Sequence, residues 1–342
     1  MSINHLRENK DLPSLLERSP RNSQQLNEFN EADAEIIPMP KQDFFVSTVD
    51  SIYEEIWLGL YQDPYTVGWM TATVSLSDLA ATGALPIGLL VSTLWTKVND
   101  IRYKESFYTG LNDSLRHHNT GLLGGDTGDH VATTISSVAM GQSQNPITRK
   151  GAKVGDKVIL LGQLGNGPAL AMRKVMGLPE DSFSERHYRP KVHLQAAKKI
   201  SLLAQSMIDT SDGVFGACQI LTDLNKVGMT WNISECIFTE ESRQFCRKYN
   251  FPLTSLLLAE HGDYGIVATI PGHRIDELED IDAPWVCLGE VTESRGIAVK
   301  SGRSDCLIDP KFSRFSTNIQ SLTDLRDEFL AMCQYLRANH LA

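Results

Sequence analysis

The sequence predicts a two-domain α/β protein, and three observations carry that prediction. The chain has 342 residues, more than one ordinary hydrophobic core organises, so two domains of roughly 150 to 190 residues are expected. Short β-rich apolar runs alternate along it with segments of helical spacing. Residues 142–150 (Q-S-Q-N-P-I-T-R-K) break that alternation with a polar stretch around Pro146, which makes them the boundary.

Composition excludes several classes of function. Hydrophobic residues make up 42% and charged residues 22%, as in a soluble globular protein. No apolar run approaches the roughly 20 residues that cross a bilayer, and residues 1–30 lack the apolar centre of a signal peptide. A cytoplasmic location with no membrane partner is expected. The six cysteines form no C-x-x-C pair, which argues against zinc or a disulfide framework and for reduced, mostly packed thiols. A net charge of −10 without a basic run speaks against nucleic acid. Any anion this chain handles is expected to be held through metal ions.

Residues 1–30 read as a polar arm with a short amphipathic helix at 12–17. A strand at 44–48 follows, placing Ser47, Thr48 and Asp50 at its end. The stretch 74–86 (V-S-L-S-D-L-A-A-T-G-A-L-P) closes a helix. Thr71, Ser75, Asp78 and Thr82 fall on one face of it, while Val67, Met70, Val74, Leu76, Leu79 and Ala80 leave the other faces apolar. Gly83 and Pro86 end the helix, so Asp78 sits near its negative pole and a cation is expected to face it. A strand at 87–94 and a helix at 102–118 come next. Residues 122–129 (L-L-G-G-D-T-G-D) read as a turn whose paired glycines expose backbone N–H groups and whose Asp126 holds a cation; Gly-Asp pairs are also common plain turn formers. A strand at 131–140 completes the first half.

In the second half a strand at 157–161 leads through the glycine-rich 162–167 (G-Q-L-G-N-G) into a helix at 168–176, an arrangement able to cradle a phosphate. It matches neither a Walker loop nor a dinucleotide fingerprint. A helix at 189–204 precedes 207–213 (M-I-D-T-S-D-G), where Asp209 and Asp212 open another helix, a place where Asp is most often only an N-cap. Strands at 266–270 and 285–291 belong to the same domain. An amphipathic helix at 318–338 presents Leu322, Leu325, Phe329, Met332, Cys333 and Leu336 on one side, for the core or a partner.

Asp33, Asp50, Asp78, Asp126, Asp209 and Asp212 each stand at the edge of an apolar element. Carboxylates gathered in one cleft repel unless cations join them, and oxygen donors without His or Cys favour Mg²⁺ with substrate phosphates. Nucleotide phosphate transfer is the chemistry this suggests. The ordered motifs V-S-L-S-D-L-A-A-T-G-A-L-P, G-G-D-T, T-R-K-G-A-K-V-G-D, R-H-Y-R-P, I-D-T-S-D-G and G-D-Y-G-I-V together resemble the thiamine-monophosphate kinase branch of the aminoimidazole ribonucleotide (AIR) synthetase-related superfamily. The likeness runs from about residue 31 to about residue 302. It implies a two-domain α/β (α+β) AIR synthetase-like fold: an arm at 1–30, an N-terminal domain at 31–145 sharing a β-barrel with its dimer mate, a C-terminal α+β domain at 146–312 and a helical tail at 313–342. It implies Mg²⁺ ligands at Asp33, Ser47, Thr48, Asp50, Asp78, Asp126, Asp209 and Asp212, with Asp78, Asp126 and Asp212 central to catalysis. ATP contacts are implied at Gly125, Arg149, Ser211 and Tyr108.

The chain departs from the family pattern by a missing carboxylate and glycine near its N-terminus and, more extensively, on the acceptor side. The family's G-D-D-A is Glu31-Ala32-Asp33-Ala34, Val49 looks inserted before Asp50, and G-G-E-D-Y-E-L becomes Glu260-His261-Gly262-Asp263-Tyr264-Gly265-Ile266. Trp57 stands at the family's substrate-contacting histidine, and Gly262 replaces a carboxylate. The resemblance therefore implies an ATP- and Mg²⁺-dependent phosphotransferase, a homodimer, with an altered small-molecule acceptor. The alternatives are ATP activation of an amide or carbonyl oxygen for cyclisation or dehydration, and a non-catalytic nucleotide-binding subunit.

Overall fold

The structure is a computed structural model that describes residues 24–28, 31–40, 43–180, 184–301, 304–313 and 322–341; the expected helix at 12–17 lies outside them. The first half contains β1 (Glu35–Pro38), β2 (Phe44–Ser51), α1 (Tyr53–Trp57), α2 (Pro64–Ala81), β3 (Leu85–Trp95), α3 (Ile101–His117), β4 (Leu122–Asp129) and β5 (Thr134–Ser143). The strands form one mixed sheet in the order β1-β2-β5-β3-β4, parallel only between β3 and β4. It is an open sheet in the single chain, with β4 at one edge.

Helix α2 is the axis of the molecule. Asp63 caps it by accepting from the Thr66 N–H at 3.2 Å, Pro64 opens it, and nearly every later residue is buried. Of its expected polar stripe, Thr71 and Thr82 bond back to the helix's own carbonyls, while Ser75 meets Ser137 and Asp78 meets Thr48. A buried helix must satisfy each hydroxyl, and a carbonyl one turn back is the nearest acceptor.

Residues 122–129 depart from the expected turn. They are a strand paired with β3, and a Cβ at Gly125 would lie 2.2 Å from the Val91 carbonyl oxygen. The glycine there lets two strands approach, which is why an apparent turn signal marks an edge strand.

The second half contains β6 (Asp156–Leu161), α4 (Asn166–Val175), α5 (Leu194–Ser201), β7 (Ser206–Asp209), α6 (Gly213–Asn225), β8 (Gly228–Trp231), α7 (Glu240–Tyr249), α8 (Ser255–Leu258), β9 (Ile266–Pro271), β10 (Trp285–Thr292), β11 (Gly296–Ser301), β12 (Ser304–Leu307) and α9 (Leu322–Ala338). Its seven strands run in the order β12-β11-β8-β10-β6-β9-β7. The helix expected at 189–204 begins only at Leu194: residues 188–193 are irregular, and the residue before Pro190 is driven away from helical backbone. In α9, Phe329, Met332, Cys333 and Leu336 are buried in the second core, so its apolar side packs at home. Cys218, Cys246 and Cys333 are buried free thiols, while Cys236 and Cys287 are exposed. Among the described residues no helix is long and apolar enough to cross a membrane.

One apolar cluster joins the halves, running from α2 through Leu194, Ala197 and Ile200 to Met207 and Ala268. Polar contacts fasten the same seam. The Trp69 indole donates to the Pro190 carbonyl at 3.1 Å, and the Gln62 and Asp63 N–H groups donate to Glu185 at 2.7 and 2.8 Å.

Candidate active site

Three apolar elements end at the seam, and each delivers one carboxylate. Asp33 precedes β1, Asp78 occupies the last turns of α2, and Asp209 ends β7. Each offers an oxygen within 4.8 Å of the other two. The Asp78 carboxylate accepts from the Thr48 hydroxyl at 2.6 Å. Asp209 accepts from Ser77 at 2.5 Å and from Ser211 at 2.9 Å. Burial, and then the charges of Asp209, Asp50 and Asp33, push the Asp78 carboxyl well above the ordinary carboxylate range despite the Thr48 bond. Burial and then Asp33 push Asp209 up to about 7.

The cation at the cluster is Arg149, which pairs with Asp33, while the charge of Asp78 reaches it from farther off. Its guanidinium grips Asp33 through Nε–Oδ2 at 3.1 Å and Nη2–Oδ1 at 2.6 Å. Burial opposes the Arg149 charge, and Asp33, Asp209 and Asp78 outweigh it, so its pKa rises. One guanidinium against three carboxylates leaves the cluster short of positive charge. All its donors are hard oxygens, and no His or Cys stands among the three, so the set fits Mg²⁺.

The other expected residues divide by sheet face. Thr48 shares its face with α2, and so does Asp50, two residues on, whose charge reaches Asp78. The charge of Asp212, at the start of α6, reaches Asp209. Ser47 and Asp126 lie on the opposite face. Asp126 pairs with Ser92, whereas its neighbour Thr127 turns to the helix face and accepts from the Trp95 indole at 3.1 Å. The single chain therefore brings Asp33, Asp78, Asp209, Thr48, Ser211 and Arg149 together and leaves Asp126, exposed, on the far side.

Tyr108 lies in a groove of about 510 Å³ between α3 and β4, lined also by Trp95, Ile101, Glu105, Asn112 and Thr127. Trp57 ends α1 with 61% of its surface exposed. Gly262 is buried against the aspartate loop: its N–H donates to the Ser211 carbonyl at 2.9 Å, and its own carbonyl accepts from the Tyr188 hydroxyl at 2.7 Å. A Cβ there would lie 1.5 Å from the Thr210 oxygen, so this glycine is demanded by packing.

The glycine-rich loop before α4 carries an anion already. The Asp263 carboxylate accepts from the Gly165 and Gly167 N–H groups, each at 2.6 Å, and burial raises it to about 6 against those bonds. The helix start expected to cradle a phosphate is capped from within the chain. Ser77 was not among the expected residues. Helical spacing places it between Ser75 and Asp78 without marking it, and only β7 lying against α2 gives it Asp209 as partner.

Known proteins share the sequence pattern and the fold. Residues 31–143 match the model of the AIR synthase related protein, N-terminal domain. The chain is 27% identical over 269 residues to the thiamine-monophosphate kinase of Aquifex aeolicus (strain VF5), covering 77% of this chain and 85% of that one. It resembles the solved structure of AaThiL complexed with AMPPCP and TMP, with a TM-score of 0.73 at 24% identity over 90% of this chain and 98% of that one. The E. coli HypE structure shares the fold, with a TM-score of 0.66 at 14% identity over 92% of this chain and 99% of that one. The chain thus carries an AIR synthase-related N-terminal domain at residues 31–143 and resembles thiamine-monophosphate kinases over most of its length.

Proposed function

We propose that this protein transfers the γ-phosphoryl group of ATP to a small acceptor, with Mg²⁺ held by Asp33, Asp78 and Asp209. The reading rests on the three carboxylates drawn within 4.8 Å, an arrangement that repels itself until a cation enters. Held by these carboxylates, Mg²⁺ would supply positive charge against the nucleotide phosphates. In this reading Thr48, Asp50 and Asp212 complete the shell and Arg149 and Ser211 meet the phosphates; Ser77 and Ser211 already hold the Asp209 carboxylate. The groove beside Tyr108 takes the base: its volume suits a nucleotide, and the partly exposed Tyr108 ring offers aromatic surface. Relatives that are kinases and the AMPPCP-bound AaThiL support an adenine nucleotide as donor. Residues 31–145 form the metal- and dimer-forming domain and 146–312 the domain that closes on it, with 313–342 as a tail.

The acceptor differs from thiamine monophosphate in this reading. Trp57 replaces a polar ring with an exposed indole that has one donor, and Gly262, where the family has a carboxylate, has both backbone groups engaged internally. Losing two charged or polar partners costs about 1.5–3 kcal/mol each, which lowers recognition by orders of magnitude. The test has two arms on the purified chain. AMPPCP should bind with Mg²⁺ and fail to bind in EDTA; binding indifferent to EDTA overturns the metal reading. Thiamine monophosphate with ATP should turn over far below about 1 per second, and an ordinary enzymatic rate overturns the altered acceptor.

A further inference from the structure

The loop at residues 210–212, between β7 and α6, carries Ser211 and Asp212 and follows directly on Asp209. The segment at residues 259–265 holds it through three hydrogen bonds. Thr210 N–H donates to the Gly265 carbonyl at 2.9 Å, the Gly265 N–H donates to the Thr210 hydroxyl at 2.9 Å, and Gly262 N–H donates to the Ser211 carbonyl at 2.9 Å. That segment is in turn fixed from the first half of the chain. The His261 Nε2 lies 3.0 Å from the Tyr61 hydroxyl, and the Tyr61 ring stacks on Tyr188, whose hydroxyl holds the Gly262 carbonyl. Tyr61 is fully buried four residues beyond α1, on the same half that supplies Asp33 and Asp78.

We propose that His261 is a positioning residue: its contact with Tyr61 latches the two halves of the chain together and thereby sets Asp209 at the distance from Asp33 and Asp78 that a divalent cation requires. The latch rests on the metal reading above, and it is particular to this chain, whose residues 260–265 depart from the family's acidic motif. His261 reaches the carboxylates only through Gly262 and Ser211, so its influence is on geometry. Burial holds its imidazole neutral, with a pKa near 4, so the contact persists across the working pH range.

The experiment is Mn²⁺ binding to the full chain, followed by electron paramagnetic resonance, in the wild type, Tyr61→Phe, His261→Ala, His261→Gln and the Tyr61→Phe/His261→Ala double variant. Tyr61→Phe keeps the buried ring and removes only the hydroxyl. Each single loss of the contact should weaken Mn²⁺ binding about tenfold, and the double variant should lose less than the sum of the two, because the His261 contact is lost only once while the Tyr61 hydroxyl's bond to Tyr264 goes in both Tyr61→Phe proteins. His261→Gln, whose amide can meet the Tyr61 hydroxyl, should recover most of the affinity. Unchanged Mn²⁺ affinity accompanied by a lower Tm overturns the latch and leaves a structural contact, as do strictly additive losses. A wild type that binds no Mn²⁺ overturns the metal reading itself.

Discussion

At the residue scale, the proton and the metal compete for the same carboxylates. Asp209 sits at about 7 in the folded chain against ~3.9 for an unfolded Asp, and Asp78 is raised in the same sense. Between those values the folded chain binds more protons than the unfolded one, so unfolding free energy falls as pH rises through that window. The stability due to the Asp209 proton is complete below ~4 and gone above about 7, and the raised Asp78 acts in the same direction. In EDTA the Tm should therefore fall from pH 5 to pH 8, and Mg²⁺ should restore more of it at pH 8 than at pH 5. Two charges at this separation repel by ~3 kcal/mol at an effective dielectric of about 20. Asp78→Asn should consequently raise the EDTA Tm at pH 8 while abolishing the Mg²⁺ response. Differential scanning fluorimetry checks both, and a Tm in EDTA that climbs with pH contradicts the repulsion. Asp33, Asp78 and Asp209 were legible as carboxylates ending apolar elements. Ser77 was not, because its partner lies 132 residues away and no local pattern announces it.

At the scale of elements, the sequence showed where strands and helices lie better than what their ends do. The glycine-rich entry to α4 was readable as a turn opening a helix, but its anion comes from Asp263, 98 residues beyond Gly165. Paired glycines at 124 and 125 suggested a turn because glycine permits both a turn and a close strand crossing; the Val91 carbonyl decides for the crossing. The Asp263 cap yields its own expectation. Asp263→Ala strands two buried N–H groups, each bond to a charged group being worth about 1.5–3 kcal/mol, so unfolding free energy should drop by roughly 3 kcal/mol in urea. Inorganic phosphate in EDTA should then raise the Tm of Asp263→Ala more than that of the wild type, since an emptied helix start accepts an anion. Equal stability of the two proteins would remove Asp263 from the account of this helix.

At the scale of the whole molecule, the first sheet buries one face under α2 and α3 and leaves the other to be covered. Phe45, Leu90, Leu94, Val138 and Met140 are only partly buried on that second face, and Val49 is 69% exposed. An apolar sheet face with β4 at its edge supports a homodimer built through this sheet, the closure that would make the shared barrel. Light scattering should give twice the monomer mass at micromolar concentration. The placement of Asp126 makes the expectation sharper. It stands on this outer face with Ser47, while Asp33, Asp78 and Asp209 lie on the other side of the sheet. If Asp126 ligates the metal, it does so in the partner's site, and each site is composed of two chains. Asp78→Asn and Asp126→Asn homodimers should both be inactive. Mixed in equal amounts and allowed to exchange subunits, half of the dimers become hybrids, each with one intact site of two, so about a quarter of wild-type Mg²⁺-dependent ATP turnover should return. Turnover that stays at the level of the separate variants after exchange, verified by mass spectrometry of differently tagged chains, would place Asp126 in its own subunit's site or outside the chemistry altogether.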